Sequence, residues 1–466
     1  MAEHRSRRAA RTRRTGPLRL AGRTLACGVC LAVLGTTGFT WYTYRSLTTG
    51  MTTSNALEQV KQDAPKKLDN SVNLLLIGLD SRKDMNGNDL PKQFVQDELN
   101  AGSSQIGGYN TNSLILLHIP AGGGKVEAVS IPRDDYVMTY NGDGSEQGMH
   151  KIKEAYGKAK EQAAPGLQAK GLKGAALEQA GRDAGRAATI ETVQKFLDVP
   201  IDHFAEVNLL GFYDIAQAVQ PITVCLNAAT KDPAEDLQGS GADFHAGLNS
   251  LNASQALSFV RQRHNLAGGD FDRTHRQQAF IAAVEYKLRQ DGLFGDLGRM
   301  QQLFDAVKKD VVIDDKWNLL DFIQQAPDLT GGNVEFNTLP VKALQPPVVI
   351  PDDGPKPVDV NYVDEALNQR TVKVLFGYSD ATSGSASASA STAASAPVPS
   401  PAASSPSPFA SPSARSGHRA GATPTPTPIP TPAAIPTPSP SVSDPAAGMV
   451  MQGKAVQGDN GIPCVD

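Results

Sequence analysis

A three-layer α/β fold is predicted for the middle of this chain by three observations. Short continuous apolar runs end in charged residues, segments with three- and four-residue apolar spacing lie between them, and the two kinds alternate over residues 71–378. The run Val72–Leu79, VNLLLIGL, stops at Asp80 and has the pattern of a strand buried on both faces. Residues 114–119 and Val126–Ile131 repeat that pattern, the second ending at Pro132, Arg133 and Asp134. Helical spacing follows at 189–197 and 211–219, with a strand expected between them at 203–207. In open α/β sheets ligands bind beyond the carboxyl ends of strands, which is where Asp80, Arg82 and Arg133 fall. Residues 157–188, rich in Ala, Gly and Lys, read as a mobile helical insertion whose lysines form a solvated face.

The flanks differ from this domain. The chain has 466 residues, 40% of them hydrophobic, with a formal net charge of -4. That balance excludes a generally basic nucleic-acid binder. Residues 1–23 nevertheless hold eight arginines against Glu3 alone. Next to them, residues 24–44 carry no charge and reach the roughly 20-residue length of a transmembrane helix. Trp41, Tyr42 and Tyr44 crowd its far end as an interfacial belt, so the positive-inside rule keeps 1–23 cytoplasmic and exports the rest. A cleaved signal peptide is the alternative, but the run is long for one and no small-residue cleavage pattern follows Tyr44. Residues 45–70 read as a polar extracytoplasmic stalk. Residues 379–466, dominated by Ala, Ser, Thr and Pro, read as a disordered, partly polyproline-like tail.

The densest chemistry lies at 251–288, where an acidic chain places Arg261, Arg263, Arg273 and Arg276 close together. Asn252 and Gln255 form a capping box for a helix that turns Leu257 and Val260 to the core and ends at Arg261 and Arg263. After Gly268 and Gly269, Asp270 or Asp272 can cap a second helix with the stripe Phe280, Ile281, Val284 and Leu288. Extended backwards, that stripe reaches Gln277 and Arg273. Cations there oppose the positive end of the helix dipole, a penalty that a bound anion reverses. Helix N-termini and arginine forks both suit phosphate oxygens. Arg276 either binds substrate with them or pairs on the surface with Asp270, Asp272 or Glu285.

The ordered segments NLLLIGLDSR (73–82), VSIPRDDYV (129–137), HKIKEAY (150–156), VPIDHFAEVNLLGF (199–212), ALSFVRQRH (256–264) and GDFDRTHRQQAF (269–280) resemble the successive motifs of the LytR-CpsA-Psr family. The resemblance implies an α/β/α sandwich whose core holds a polyprenyl chain in a hydrophobic tunnel. It also implies a membrane-anchored phosphotransferase that moves an anionic glycopolymer from a polyprenyl-pyrophosphate carrier to peptidoglycan. On that reading Asp80 holds Mg²⁺, and Arg82, Arg133, Arg261, Arg263, Arg273 and Gln277 clamp the diphosphate, with Lys151 adding charge. Where the family has an Arg and an Asp before the second strand, this chain has Asn110 and Asn112. Asn112 can offer a metal a carbonyl oxygen but no charge. The outcomes left open are catalysis with Asp80 and substrate oxygens alone, recruitment of Asp84 or Asp89, and a carrier binder with little or no turnover. Asp134 and Asp135 are candidate general bases.

Cys27 and Cys30 lie in the apolar run. Cys225 and Cys464 fall outside the membrane in an oxidising compartment, where a disulfide pinning the tail end to the domain and two free thiols both remain open. His118 reads as a core or edge histidine. No zinc spacing, P-loop or nucleophile elbow is present, and the short arm has no helix-turn-helix pattern.

Overall fold

The computed structural model describes residues 50–104, 108–234, 239–292, 297–318, 334–342, 346–351, 354–378 and 462–466. The predicted span 24–44, the basic arm and the tail segment 379–461 lie outside these residues. Among the described residues no helix is long and apolar enough to cross a membrane.

In chain order the elements are β1 (Thr52–Ser54), α1 (Ala56–Val60), β2 (Val72–Leu79), β3 (Thr111–Ile119), β4 (Val126–Ile131), β5 (Asp135–Tyr140) and β6 (Glu146–Lys151). There follow α2 (Ala155–Ala169), α3 (Gly174–Leu197), β7 (His203–Asn208), α4 (Leu209–Val219), β8 (Ile222–Leu226), β9 (Thr230–Asp232), β10 (Ala242–Phe244) and β11 (Gly247–Leu251). The chain continues through α5 (Ala253–Arg261), α6 (Asp270–Gln290), α7 (Leu297–Val307), β12 (Val311–Asp314), β13 (Val334–Thr338), β14 (Asn361–Tyr362), α8 (Glu365–Leu375) and β15 (Cys464–Val465).

Seven strands form one mixed sheet in the order β1-β12-β7-β2-β3-β4-β13. The apolar runs of β2, β3 and β4 occupy its centre, as continuous hydrophobicity on both faces requires. On one face Leu75, Ile77, Leu114, Leu116, Val129 and Ile131 pack with Ile190, Val193 and Phe196 of α3 and Val372 of α8. On the other, Gln278 of α6 donates to Ser130 Oγ at 2.9 Å and to Thr338 Oγ1 at 3.1 Å. Helices therefore cover both faces of a mixed α/β fold. A second apolar cluster joins Val95 and Leu99 to Phe259 and Val260 of α5, Phe280 of α6 and Ile222 of β8.

Three sequence expectations need correction. The segment assigned to a stalk enters the domain: β1 pairs in parallel with β12, and Ala56 and Val60 are 0% and 2% exposed. The insertion expected to be helical and mobile is helical but anchored, because Arg182 and Arg186 are buried and the Arg186 fork grips Glu206 at 2.8 and 3.0 Å. The tail expected to be disordered through 466 holds a strand at its end, β15, which pairs in parallel with β8; of the two outcomes left open for Cys225 and Cys464, the disulfide is the one found. The expected core histidine is found, since His118 is buried, faces Asn73 Oδ1 through Nδ1 at 2.8 Å and stacks on Phe376.

Candidate diphosphate site

The C-terminal ends of β2 and β4 and the start of β3 lie at one end of the sheet. The register runs from Gly78↔Ser113 directly to Leu79↔Thr111, so Asn112 sits in a bulge with no partner across the ladder. Gly78 permits this close pairing, because a Cβ there would stand 2.9 Å from Ser113 Cβ. The bulge turns Asn112 toward the residues that follow β2. Its Nδ2 donates to Asp80 Oδ2 at 3.0 Å, and its Oδ1 accepts from Arg133 Nη1 at 2.7 Å. Arg273 Nη2 reaches the Asn112 main-chain oxygen at 3.4 Å. Asn112 thus ties together the ends of β2 and β4 and the first turn of α6.

The arginines arrive on separate elements. Arg82, in the turn after β2, faces Asp80 Oδ1 at 3.4 Å and donates from Nε to Ala101 O at 2.6 Å. The capping box predicted for α5 is present, with Gln255 N donating to Asn252 Oδ1 and Asn252 N to Gln255 Oε1. It delivers Arg261 at the helix end, where Nη1 donates to Leu99 O at 2.9 Å. Arg263 follows in an exposed turn. Arg273 is buried on the inward face of α6, as the extended stripe requires. Gln277 lies one turn further on and donates to Val260 O at 3.4 Å.

Neither Asp270 nor Asp272 caps α6; the N-cap is Gly269, with φ +59. Asp272 instead accepts from Gly268 N at 2.6 Å. Asp270 Oδ1 lies 3.2 Å from Arg133 Nε and 2.8 Å from Arg273 Nη2, so it fixes the spacing of the two guanidinium groups. Sequence reasoning missed that role, since an acid in a first helical turn is already explained by the helix dipole. Lys153 was missed as well: its Nζ lies 2.5 Å from Asp134 Oδ1, with Lys151 Nζ at 3.5 Å from the same oxygen.

Burial depresses Arg261 to about 10, opposed by Asp80 and reinforced by Arg82. Burial likewise holds Arg273 at about 10, with Asp270 opposing it and Arg133 and Arg263 adding to the fall. Both remain cations at neutral pH in surroundings that disfavour the charge, and a bound anion relieves that imbalance. Arg273 Nε is buried without a hydrogen-bond partner. The carboxyls divide in the opposite sense. Burial pushes Asp134 up, but Arg133, Lys153 and Lys151 outweigh it and hold the group at about 2. Burial raises Asp135 well above the carboxylate range.

Some expected participants are placed elsewhere. Arg276 is 1% exposed and faces away from this cluster, donating from Nε to Asp466 O and from Nη1 to Gln262 Oε1, each at 2.6 Å. It pairs with none of the acids named as surface partners, and it is not placed to bind substrate. Asp84 accepts from Asn86 and Asn88, and Asp89 pairs with Lys83, so both serve their own loop. His264 pairs with Asp232. Among the described residues no group of three His, Cys, Asp or Glu forms a metal cluster. Asp80 fits a site of one protein carboxylate completed by substrate oxygens. Asn112 does not fit as its second ligand, because its oxygen is taken by Arg133 and its amide hydrogens face Asp80.

The LytR_cpsA_psr family model matches residues 39–355. Cell wall biosynthesis protein LcpA of Corynebacterium glutamicum is 38% identical over 277 residues, 59% of this chain and 51% of the relative. The chain therefore spans about half the length of that relative. The polyisoprenyl-teichoic acid–peptidoglycan teichoic acid transferase TagU of Bacillus licheniformis is 26% identical, covering 65% of this chain and 82% of the relative. The crystal structure of Bacillus subtilis TagV covers 66% of this chain and 98% of its own, at 18% identity and a TM-score of 0.45. With a model match extending from before the first strand to beyond the last of the site residues, this chain belongs to the LytR-CpsA-Psr family.

Proposed function

We propose that this chain transfers an anionic glycopolymer from a polyprenyl-pyrophosphate carrier to peptidoglycan. The single observation that carries the reading is the convergence of Arg82, Arg133, Arg261 and Arg273, from four separate segments, around Asp80 and Asn112. That convergence lies beside the second apolar cluster, to which Leu99, Ala101 and Val260 belong. Arg82 and Arg261 are hydrogen-bonded to the carbonyls of Ala101 and Leu99 themselves, so the charged and apolar walls are one construction. A diphosphate joined to a long apolar chain matches both walls. The relatives' names fit such a substrate, since TagU is a polyisoprenyl-linked teichoic acid transferase. Membrane attachment through 24–44, with the domain outside, places the site beside both carrier and wall.

In the transfer, a sugar hydroxyl of the wall attacks the phosphorus that bears the glycopolymer. The bridging P–O bond breaks and polyprenyl phosphate leaves with the electron pair. Such a transition state needs alignment and charge neutralisation more than covalent help. Arg133 and Arg273, spaced by Asp270, and Arg82 and Arg261, fixed by backbone carbonyls, provide both. Mg²⁺, when held by Asp80 and substrate oxygens, would neutralise further charge on the diphosphate. Asp134, held at about 2, is a poor proton acceptor. Asp135 is fully buried with its carboxyl raised, and its Oδ1 accepts from Asn361 Nδ2 at 3.1 Å. Little base catalysis is expected of a loose transition state, and the hydroxyl proton passes to solvent or to the product phosphate.

The test is a single-turnover assay with the full-length chain, a polyprenyl-pyrophosphate-linked glycan and nascent peptidoglycan. Transferred glycan should form with wild type and fall at least a hundredfold with Arg273→Lys, which keeps charge and removes the fork. Carrier binding without release of glycan or phosphate would overturn transfer. It would favour the second reading, a carrier binder, for which Asn112 in place of an acid is the specific observation.

A further inference from the structure

The last five residues and Arg276 take no part in the site described above, yet they form one continuous chain of contacts to it. Cys464 stands opposite Cys225 in the β8–β15 ladder and is joined to it by a disulfide. Val465 is buried in the second apolar cluster, and its carbonyl accepts from Asn227 N at 2.9 Å. The main-chain oxygen of Asp466 accepts from Arg276 Nε, and Arg276 Nη1 donates to Gln262 Oε1, each at 2.6 Å. Gln262 is 0% exposed and is also tied through Nε2 to Thr230 Oγ1 at 2.5 Å and to His264 O at 2.9 Å. Its chain neighbours are Arg261 and Arg263. The turn that aims these two arginines is therefore braced, through one buried glutamine and one buried guanidinium, by a strand held covalently at its other side.

We propose that Ile462–Asp466 is a disulfide-latched strap that positions the Arg261–Gln262–Arg263 turn, so that oxidation of Cys225 and Cys464 sets the affinity of the site for a diphosphate. The proposal rests on the anion-binding reading above. A dithiol reductant would open the latch: its thiolate attacks one sulfur, two electrons pass to the cystine, and the reductant leaves as its own disulfide while the two cysteines become thiols. The residues from Ile462 onward then keep a two-residue ladder, the bonds from Asn227 N to Val465 O and from Arg276 to Asp466 O, and a few apolar contacts, too little to hold β15 fixed. Loss of the strap leaves Arg276 Nε buried without its acceptor. Gln262 is then drawn from its place by a cation seeking a partner. Gln262 and Arg276 are positioning residues, acting on the anion only through the arginines beside Gln262.

The experiment is titration of the full-length chain in detergent micelles with inorganic pyrophosphate, oxidised and after dithiothreitol. Hydrogen exchange at amides 261–264 is followed in parallel. Reduction, and separately the double variant C225S/C464S, should weaken pyrophosphate binding about tenfold, the order expected for loss of one charge-assisted hydrogen bond. Exchange at 261–264 should quicken, and reoxidation of wild type should restore both. In Arg276→Met, already weakened, reduction should change affinity less than twofold, because the strap has lost its contact. Equal affinity and equal exchange in oxidised and reduced wild type would overturn the strap. If neither form binds pyrophosphate, the proposed function falls, and the exchange arm still decides the strap. Should reduced protein unfold, Gln262→Ala with the disulfide intact decides instead: about tenfold weaker binding supports the proposal and unchanged binding refutes it.

Discussion

Replacing Asn112 by Asp adds a charge at the one point where the ends of β2 and β4 meet. Asn112 Nδ2 stands 3.0 Å from Asp80 Oδ2, and its Oδ1 accepts from Arg133 Nη1 at 2.7 Å. In N112D the second contact survives and the first becomes an approach of two carboxylates. At about 3 Å and an effective dielectric of about 20, two unit charges repel by about 5 kcal/mol. Arg133 attracts the new charge by a similar amount, but it is already shared with Asp134 at 3.3 Å and Asp270 at 3.2 Å. The two carboxylates can therefore both stay ionised only with a divalent cation between them; otherwise they share a proton and titrate as a pair with a raised upper step. On the proposed function, wild type, with one carboxylate, would take Mg²⁺ chiefly through substrate oxygens. The expected outcome is that half-saturation of turnover by Mg²⁺ falls at least tenfold in N112D, with faster turnover at saturating metal and slower turnover under chelation. The assay is release of polyprenyl phosphate as Mg²⁺ and pH are varied. Superimposable Mg²⁺ titrations for N112D and wild type would refute the reasoning.

Two further predictions concern the scaffold. Burial and the neighbouring Asp310 push Asp214 up to about 7. Its folded value lies above its unfolded one, so the fold binds the extra proton and loses stability as pH rises from about 4 through 7. For a half-exposed group the loss is discounted to about 1–2 kcal/mol. Asp214→Asn should flatten the melting temperature between pH 5 and 8 and raise it at pH 8; a lower melting temperature there would contradict the assignment. Arg186 and Glu206 form a buried two-bonded pair, 3% and 0% exposed. Arg186→Met leaves the buried Glu206 carboxylate with only the distant Arg182 Nη1 at 3.9 Å and should cost about 3 kcal/mol in denaturant unfolding, with much of it recovered in R186M/E206L. Equal stability of single and double variants would show that the pair is not what holds α3 to β7.

What was legible in the sequence had its cause nearby in the chain. β2 and β4 announce themselves because residues buried on both faces leave an unbroken apolar run, and α5 because its capping box spans only Asn252 to Gln255. The parts that were misread owe their burial to distant partners. Thr52–Ser54 is a polar triplet that becomes a strand only when β12 arrives beside it. Residues 157–188 read as a mobile insertion, and only Glu206, Glu178 and Asp84, closing around Arg182 and Arg186, show that it is anchored. Cys464 sits after a long Pro-, Ser- and Thr-rich stretch, and its pairing with Cys225, one of two outcomes open in the sequence, is decided by the β8 ladder.

The site divides along the same line, with a consequence for reading arginine clusters in general. Arg273 and Arg276 are three residues apart on α6, both buried and both depressed to about 10, chiefly by burial. Charge, helix position and solvation do not separate them. Their acceptors do: Arg276 has Asp466 O and Gln262 Oε1, whereas Arg273 has Asp270, a distant reach to the Asn112 carbonyl, and an Nε with nothing. A guanidinium whose buried donors find acceptors in its own chain is already hydrogen-bonded by the fold, and a ligand has little to add. One left with an unfilled buried donor beside other cations, as Arg273 is beside Arg133, still has a hydrogen bond and a charge to offer an anion. By that criterion Arg273, not Arg276, is the position at which substitution should remove transfer while leaving the strap closed, and a loss of transfer in Arg276→Met should track pyrophosphate affinity rather than turnover of bound carrier.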